Sequence, residues 1–159
     1  MQGVYIATEE ITALNPTAGD TLLLLEAPAD AVLELLSCRL TNSSVDTSEQ
    51  LEWGLFRVGT KGSPAGNSIT PEKTEDGSVA SGATVLGAGN AGLTTEPTSY
   101  NSEPLMQDGM NNLGGGEEDL VPEDRIYISP SGLVGIRLMA APSAAFNAHV
   151  TMKWREIGG

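Results

Sequence analysis

The chain has 159 residues, with 8 Lys or Arg against 21 Asp or Glu, so its formal net charge is −13. Nucleic acids and anionic membranes bind positive surfaces, and this charge excludes both as expected partners. Because 40% of the residues are hydrophobic, the chain is too apolar for a disordered acidic tail, and its length suits one domain with its own core.

The first third of the chain predicts four strands, because short apolar stretches alternate with turn clusters rich in Pro, Gly and Asp. We expect strands at residues 3–11 and 21–26, the second apolar enough to be covered on both faces. Residues 31–41 fit either a helix or a strand, and the neighbouring strands favour the strand. The alternating residues 51–58 predict the fourth strand.

Residues 59–92 predict a long irregular insertion, because Gly, Ser, Thr, Ala and Pro dominate and large aliphatic side chains are few. Within it, residues 68–73 fit a short edge strand, since Pro71 has no N–H to donate to a ladder. Loops this long inside a compact domain are usually functional, or are disordered until a partner orders them.

The rest of the chain returns to strands. We expect a polar strand at residues 93–99, a weak strand or single helical turn at 104–112, and strands at 125–129, 133–139 and 146–154. The last of these carries the longest alternation of apolar and polar residues in the sequence, so one of its faces should lie in the core.

These eight or nine strands predict an all-β fold. No repeated strand–helix–strand unit suggests a parallel sheet, and two packed antiparallel sheets satisfy the pattern. The long connection after the fourth strand suits a Greek-key or jelly-roll crossover. We therefore expect residues 1–159 to form a single antiparallel β-sandwich domain, jelly-roll-like, with long loops and the insertion at 59–92.

The sequence predicts no catalytic, cofactor or metal site. His149, the only histidine, lies on the polar side of a strand, where a surface role is expected. Cys38, the only cysteine, lies in an apolar stretch typical of a buried, inert thiol. The glycines of residues 87–92 match the dinucleotide-binding spacing, but Pro97 prevents the helix that should follow. The acids within 117–124 lack the calcium-loop spacing and indicate a solvated acidic loop.

Residues 62–124 concentrate eleven of the acids against a single base, Lys73. Two interpretations remain open: these charges keep the chain soluble, or they dock onto a basic partner surface or onto another copy. For docking we expect contacts from residues 59–92 and 101–118. The candidate partner-binding residues are Ile69, Pro71, Glu72, Glu75, Asp76, Glu103, Asp108, Glu117, Glu118 and Asp119.

Several short motifs resemble those of small proteins of tailed bacteriophages. They are residues 2–7 (QGVYIA), 25–30 (LEAPAD), 47–51 (TSEQL), 125–132 (RIYISPSG) and 154–158 (WREIG). These strand-and-turn motifs spread over most of the chain and carry no catalytic signature. The resemblance implies a virion structural protein similar to head decoration or cement proteins. Such a protein is a jelly-roll-like sandwich, often trimeric, that binds the major capsid protein across neighbouring capsomers.

Two other functions stay open. A tail-tip or host-recognition module that binds glycans would need exposed aromatic residues clustered on loops, whereas Tyr5, Tyr100 and Tyr127 are scattered. A glycosidase would need two facing carboxylates in a cleft beside aromatic residues, which are few here. The first residues contain no basic segment followed by an apolar one, so we expect synthesis in the host cytoplasm and a final place on the capsid surface of the virion.

Overall fold

The computed structural model describes residues 3–44, 48–111 and 113–158. Gln2 and Thr47 of the motifs above, and Asn112 at the end of one predicted strand, lie outside the described residues. Within the three described ranges, no helix has the length and apolar character needed to cross a membrane.

The described residues form two antiparallel sheets. The strands in chain order are β1 (Val4–Leu14), β2 (Thr21–Glu26), β3 (Ala31–Asn42), β4 (Gln50–Thr60), β5 (Asn67–Ile69), β6 (Glu72–Lys73), β7 (Thr84–Gly87), β8 (Ser99–Tyr100), β9 (Met106–Asn111), β10 (Gly116–Asp119), β11 (Ile126–Ile128), β12 (Leu133–Leu138) and β13 (Phe146–Gly158), with a short 3-10 helix at Pro122–Asp124. Sheet A contains β1, β3, β6, β10, β11 and β13, and sheet B contains the others. One hydrophobic core joins the two sheets, which confirms the predicted all-β sandwich.

Eight of these strands are connected as in a jelly roll. In that fold the first and last strands pair, then the second and seventh, the third and sixth, and the fourth and fifth. Here β1 pairs with β13, β2 with β12, β3 with β10, and β4 with β9, all antiparallel. The β13–β3 and β12–β4 ladders then complete the two sheets. The jelly-roll-like order predicted from the long crossover is therefore present.

The alternating strands place their apolar residues in the core as predicted. On β13 the inward set is at most 1% exposed and comprises Phe146, Ala148, Val150, Met152 and Trp154. Residues 31–41, which were ambiguous, form a strand because Leu33, Leu35 and Leu40 point into the same core between β13 and its other neighbours. Packing against both sheets decides the conformation where local propensity does not.

The apolar strand β2 is covered on both faces, as predicted. Leu23 and Leu25 belong to the main core, whereas Leu24 packs with Leu93 and Leu133 in a smaller cluster. The chain that follows β7 therefore lies over the outer face of sheet B and shields it from water. This layer explains why β2 lacks the polar alternation of a half-exposed strand.

The prediction that residues 59–92 form an irregular insertion is wrong in part, because three short strands form within them. β5 and β7 extend sheet B beyond β2, while β6 pairs with β1 at the edge of sheet A. The predicted edge strand at 68–73 is thus split between the two sheets around Pro71. The polar strand predicted at 93–99 does not form, apart from the single bridge of Thr95 with Ala65 and the start of β8.

The prediction of a solvated acidic loop at residues 117–124 is also wrong in part. Residues of β10 form a ladder with β3, with Glu117 opposite Arg39 and Glu118 opposite Cys38. The sequence signal was missed because charged residues normally disfavour a strand. An edge strand tolerates them, since one side of its backbone and its outward side chains stay in water.

Candidate functional site

Three of the predicted contact acids lie at one edge of sheet A. Glu72 is on β6, and Glu75 and Asp76 follow in the next turn, with all three exposed. Ile69 and Pro71 precede them but are half-buried, and Ile69 packs against the core. This part of the predicted set therefore offers charge at the surface while its apolar members hold the insertion in place.

A second group lies at the opposite edge of the same sheet, on β10. Glu117 forms an exposed ion pair with Arg39, 3.5 Å between Oε2 and Nε, and Asp119 is exposed. Glu118 is half-buried and faces the neighbourhood of Cys38. Burial first, and then the Glu118 charge, raise the pKa of the Cys38 thiol to about 12. The predicted burial of this thiol is confirmed.

The remaining two acids belong to the region before and within β9 of sheet B. Glu103 is exposed, and Asp108 is half-buried, with its Oδ1 accepting the N–H of Gly109 at 2.8 Å. The strand order β10-β3-β13-β1-β6 separates the two acidic edges of sheet A by four strand spacings, or about 19 Å. The structure thus distributes the predicted acids over three places instead of one continuous surface.

Sequence reasoning missed a cleft of about 460 Å³ on the outer face of sheet B. Arg137 on β12 lies in it, with its guanidinium carbon 4.3 Å from the centre of the Tyr100 ring and 5.2 Å from that of Phe56. The two rings meet edge to face, 6.3 Å apart. Arg137 Nε donates to the carbonyl oxygen of Gly19 at 2.6 Å. Two rings and one carbonyl therefore hold the guanidinium in a single orientation.

A hydrogen-bond relay forms one wall of the cleft. Thr21 donates through its backbone N–H to Glu96 Oε1 at 2.8 Å and through its hydroxyl to Glu96 Oε2 at 2.5 Å. The Tyr100 hydroxyl then donates to Thr21 Oγ1, because the threonine proton is already given to a carboxylate. Burial first, and then the Glu96 charge, raise the pKa of Tyr100 despite the opposing charge of Arg137, so the phenol stays neutral.

The alternation of β12 contains the one signal that could have located this cleft. Val134, Ile136 and Leu138 point inward, so Arg137 must point to the outer face of sheet B. The aromatic partner that orients it comes from Tyr100, which lies across Gly135 at the end of a long segment without regular pattern. No local sequence pattern connects these positions.

A second polar cluster is centred on Glu34, which is only 4% exposed although it lies on the outer face of β3. Its carboxylate accepts from Arg125 at 3.1 Å, from the Tyr127 hydroxyl at 3.1 Å and from Arg155 at 2.9 Å. Burial alone would raise the pKa of Glu34. The Arg125 and Tyr127 hydrogen bonds and the charges of both arginines outweigh burial and lower it. The cluster ties β11, β3 and β13 together.

The histidine and the glycine-rich segment considered in the sequence analysis both lie in ordinary structural positions. His149 is partly exposed beside Glu10, with 3.8 Å between Nε2 and Oε1. The glycines of 87–92 end β7 and form a tight bridge between Gly89 and Gly92, with no helix after them. Among the described residues, no group of three or more His, Cys, Asp or Glu is arranged to hold a metal ion.

Comparisons with known proteins give no relative for this chain. No protein-family model, no curated protein and no solved structure matches it.

Proposed function

We propose that this chain is a structural virion protein that decorates a phage capsid, binding as an oligomer across neighbouring capsomers of the major capsid protein, without catalysis. One observation carries the proposal. Five exposed acids on or beside the edges of a jelly roll form no ion pair with any described residue: Glu72, Glu75, Asp76, Glu103 and Asp119. Jelly rolls are a recurrent fold of viral capsid proteins.

Surface acids that form no ion pair within the chain favour binding to a basic surface of a partner. A single exposed ion pair contributes little, but many copies on a lattice add their contributions, so that avidity replaces single-site affinity. Salt screens such pairs within a Debye length, and binding should weaken as ionic strength rises.

The placement of the acids supports contact with two neighbours. The Glu72 group and the β10 group occupy opposite edges of sheet A, about 19 Å apart. One copy can therefore present a negative edge to each of two adjacent capsomers. Among the described residues only Glu117 of the β10 group is neutralised, by Arg39.

The direct test uses virions from the source that encodes the chain. Cryo-electron microscopy and mass spectrometry of purified particles should find the chain on the capsid surface, in a copy number set by the capsid symmetry. Absence from the particles, or presence only at a tail tip, would overturn the proposal.

Charge variants test the contact residues. Glu72→Lys combined with Glu75→Lys should weaken co-sedimentation with capsids lacking the chain by about tenfold or more at low salt. Glu123→Lys with Asp124→Lys is the matched control, because these exposed acids lie outside the proposed contact set. Equal loss in both variants would show that only net charge matters and would remove the assigned contacts.

The oligomeric state is a separate test. Sedimentation equilibrium of the whole chain should give an oligomer, and a trimer suits a protein placed where capsomers meet. A strict monomer that also fails to bind capsids contradicts the proposal.

A further inference from the structure

We propose that the cleft on the outer face of sheet B binds a neutral sugar through two adjacent hydroxyl groups. The cleft has a volume of about 460 Å³, within the range of small-molecule sites and larger than one hexose needs. It lies beneath the segment that carries β8, away from the acidic edges of sheet A. Sugar binding in this cleft does not require that the chain binds a capsid.

Arg137 is held in the cleft with its terminal nitrogens unpaired among the described residues. Its Nε is bonded to Gly19, and its guanidinium carbon lies over the Tyr100 and Phe56 rings, but neither terminal nitrogen has an acceptor among the described residues. Arg137 also forms no ion pair with a described residue, although Asp20 and Glu96 line the same cleft. The cleft therefore presents oriented N–H donors that the described residues do not satisfy.

The two carboxylates that line the cleft differ in how many of their oxygens are hydrogen-bonded. Both oxygens of Glu96 are bonded to Thr21. Asp20 uses only Oδ2, which accepts from the N–H of Thr17 at 2.8 Å and from its hydroxyl at 2.6 Å. Asp20 Oδ1 has no donor among the described residues. Asp20 Oδ1 is thus a free carboxylate acceptor in the cleft, beside the free donors of Arg137.

A guanidinium only donates and a carboxylate only accepts, so a ligand that satisfies both must contain groups of both kinds. Adjacent hydroxyls of a sugar do so, one accepting from Arg137 and the other donating to Asp20. Two carboxylates in the cleft and a net charge of −13 disfavour an anionic ligand. The Arg137 guanidinium lies over the rings of Phe56 and Tyr100, so the ligand is recognised by hydrogen bonds instead of stacking on those aromatics.

The test is an NMR titration of the whole ¹⁵N-labelled chain with D-glucose, D-galactose and D-mannose, with D-glucuronate and acetate as charged probes. We expect saturable shifts at Gly19, Asp20, Tyr100 and Arg137 with at least one neutral hexose, with a dissociation constant of about 1–10 mM. D-glucuronate should bind at least about fivefold more weakly. No saturable shift with any neutral hexose overturns the proposal, and so does tighter binding of D-glucuronate or acetate.

Variants locate the site. Arg137→Gln should weaken the hexose by about tenfold, and Asp20→Asn by about threefold or more, because each removes part of the donor and acceptor pair. Asp20→Asn keeps an oxygen that can accept the hydrogen bonds of Thr17, so this variant should fold. It tests the site even if Arg137→Gln does not fold. Glu123→Gln, an exposed acid outside the cleft, is the control and should bind as the parent does. Unchanged affinity in Asp20→Asn contradicts the assignment.

Discussion

The carboxylate of Glu156 accepts a hydrogen bond from the backbone N–H of Ala83 at 3.2 Å, although 73 residues separate the two in the chain. The same carboxylate accepts from the N–H of Gly82 at 3.1 Å and from the Ser81 hydroxyl. Glu156 is the last inward-facing residue of β13 and is 7% exposed. One buried acid therefore fastens the segment before β7 to the central strand of sheet A.

Replacing Glu156 with Ala should lower the free energy of unfolding by about 2–3 kcal/mol, because the Ala83 and Gly82 N–H groups lose a charged acceptor in a buried place. Chemical denaturation measures the change. Limited proteolysis should show new cleavage between residues 74 and 83. Glu10→Ala is the control, since Glu10 is exposed, and should change stability by less than about 0.5 kcal/mol. Similar losses in both variants would contradict this role.

Glu34 should make the stability of the protein depend on pH in the acid range. Its pKa in the folded state is lowered from the ordinary value of 4.5, because its hydrogen bonds and the nearby arginines outweigh burial. The unfolded state therefore binds the proton more readily. The stabilisation is complete above about pH 4.5 and is lost as the pH falls through the lower, folded-state pKa.

Glu34→Gln removes that dependence. We expect it to lower stability by about 2 kcal/mol at pH 7, because two arginines lose their common carboxylate. The difference from the parent should shrink as the pH is lowered from about 5 to about 2. Urea denaturation across this range measures it, and a difference that is constant with pH would contradict the prediction.

Gly135 leaves room for Tyr100. A Cβ at position 135 would lie 2.7 Å from the Tyr100 hydroxyl oxygen and 3.1 Å from Thr21 Cγ2, so Gly135→Ala must displace the ring. We expect a loss of about 1–3 kcal/mol and weaker protection of residues 96–102 from hydrogen exchange. Gly77→Ala is the matched control, because no atom outside its two chain neighbours lies within 4 Å of the added methyl group. Gly77→Ala should change the free energy of unfolding, and the free energy of hydrogen-exchange protection at residues 96–102, by less than about 0.5 kcal/mol.

Cys38 should react with a thiol reagent only when the protein opens. With a pKa of about 12, almost none of the thiol is ionised at pH 8, and its side chain is 0% exposed. Labelling by Ellman's reagent should therefore follow the unfolding rate as denaturant is added. Thr12→Cys in a Cys38→Ser background, with the thiol at an exposed position, should react at least about a hundredfold faster in the folded state. Rapid labelling of native Cys38 would contradict the burial.

Much of the sandwich could be predicted because side chains of a strand alternate between two faces. The inward residues of β4, β12 and β13 follow directly from this period, and the apolar β2 indicated its cover on both faces. The assignment of β10 failed because Glu117, Glu118 and Asp119 have low strand propensity. Their ladder with β3 depends on the position of that strand, about 80 residues earlier in the chain.

The sequence by itself determined the all-β class, the apolar faces of the main strands, the buried Cys38 and the acidic character of the middle of the chain, because composition and a period of two are local properties. Only the tertiary structure decided that the acids lie at opposite strand edges, that Glu34 and Glu156 are buried with partners, and that Arg137 meets Tyr100, Phe56 and Asp20 in one cleft. Those relationships depend on antiparallel pairing between residues far apart in the chain. Pairing of that kind is selected by the packing of the whole sandwich and leaves no local pattern.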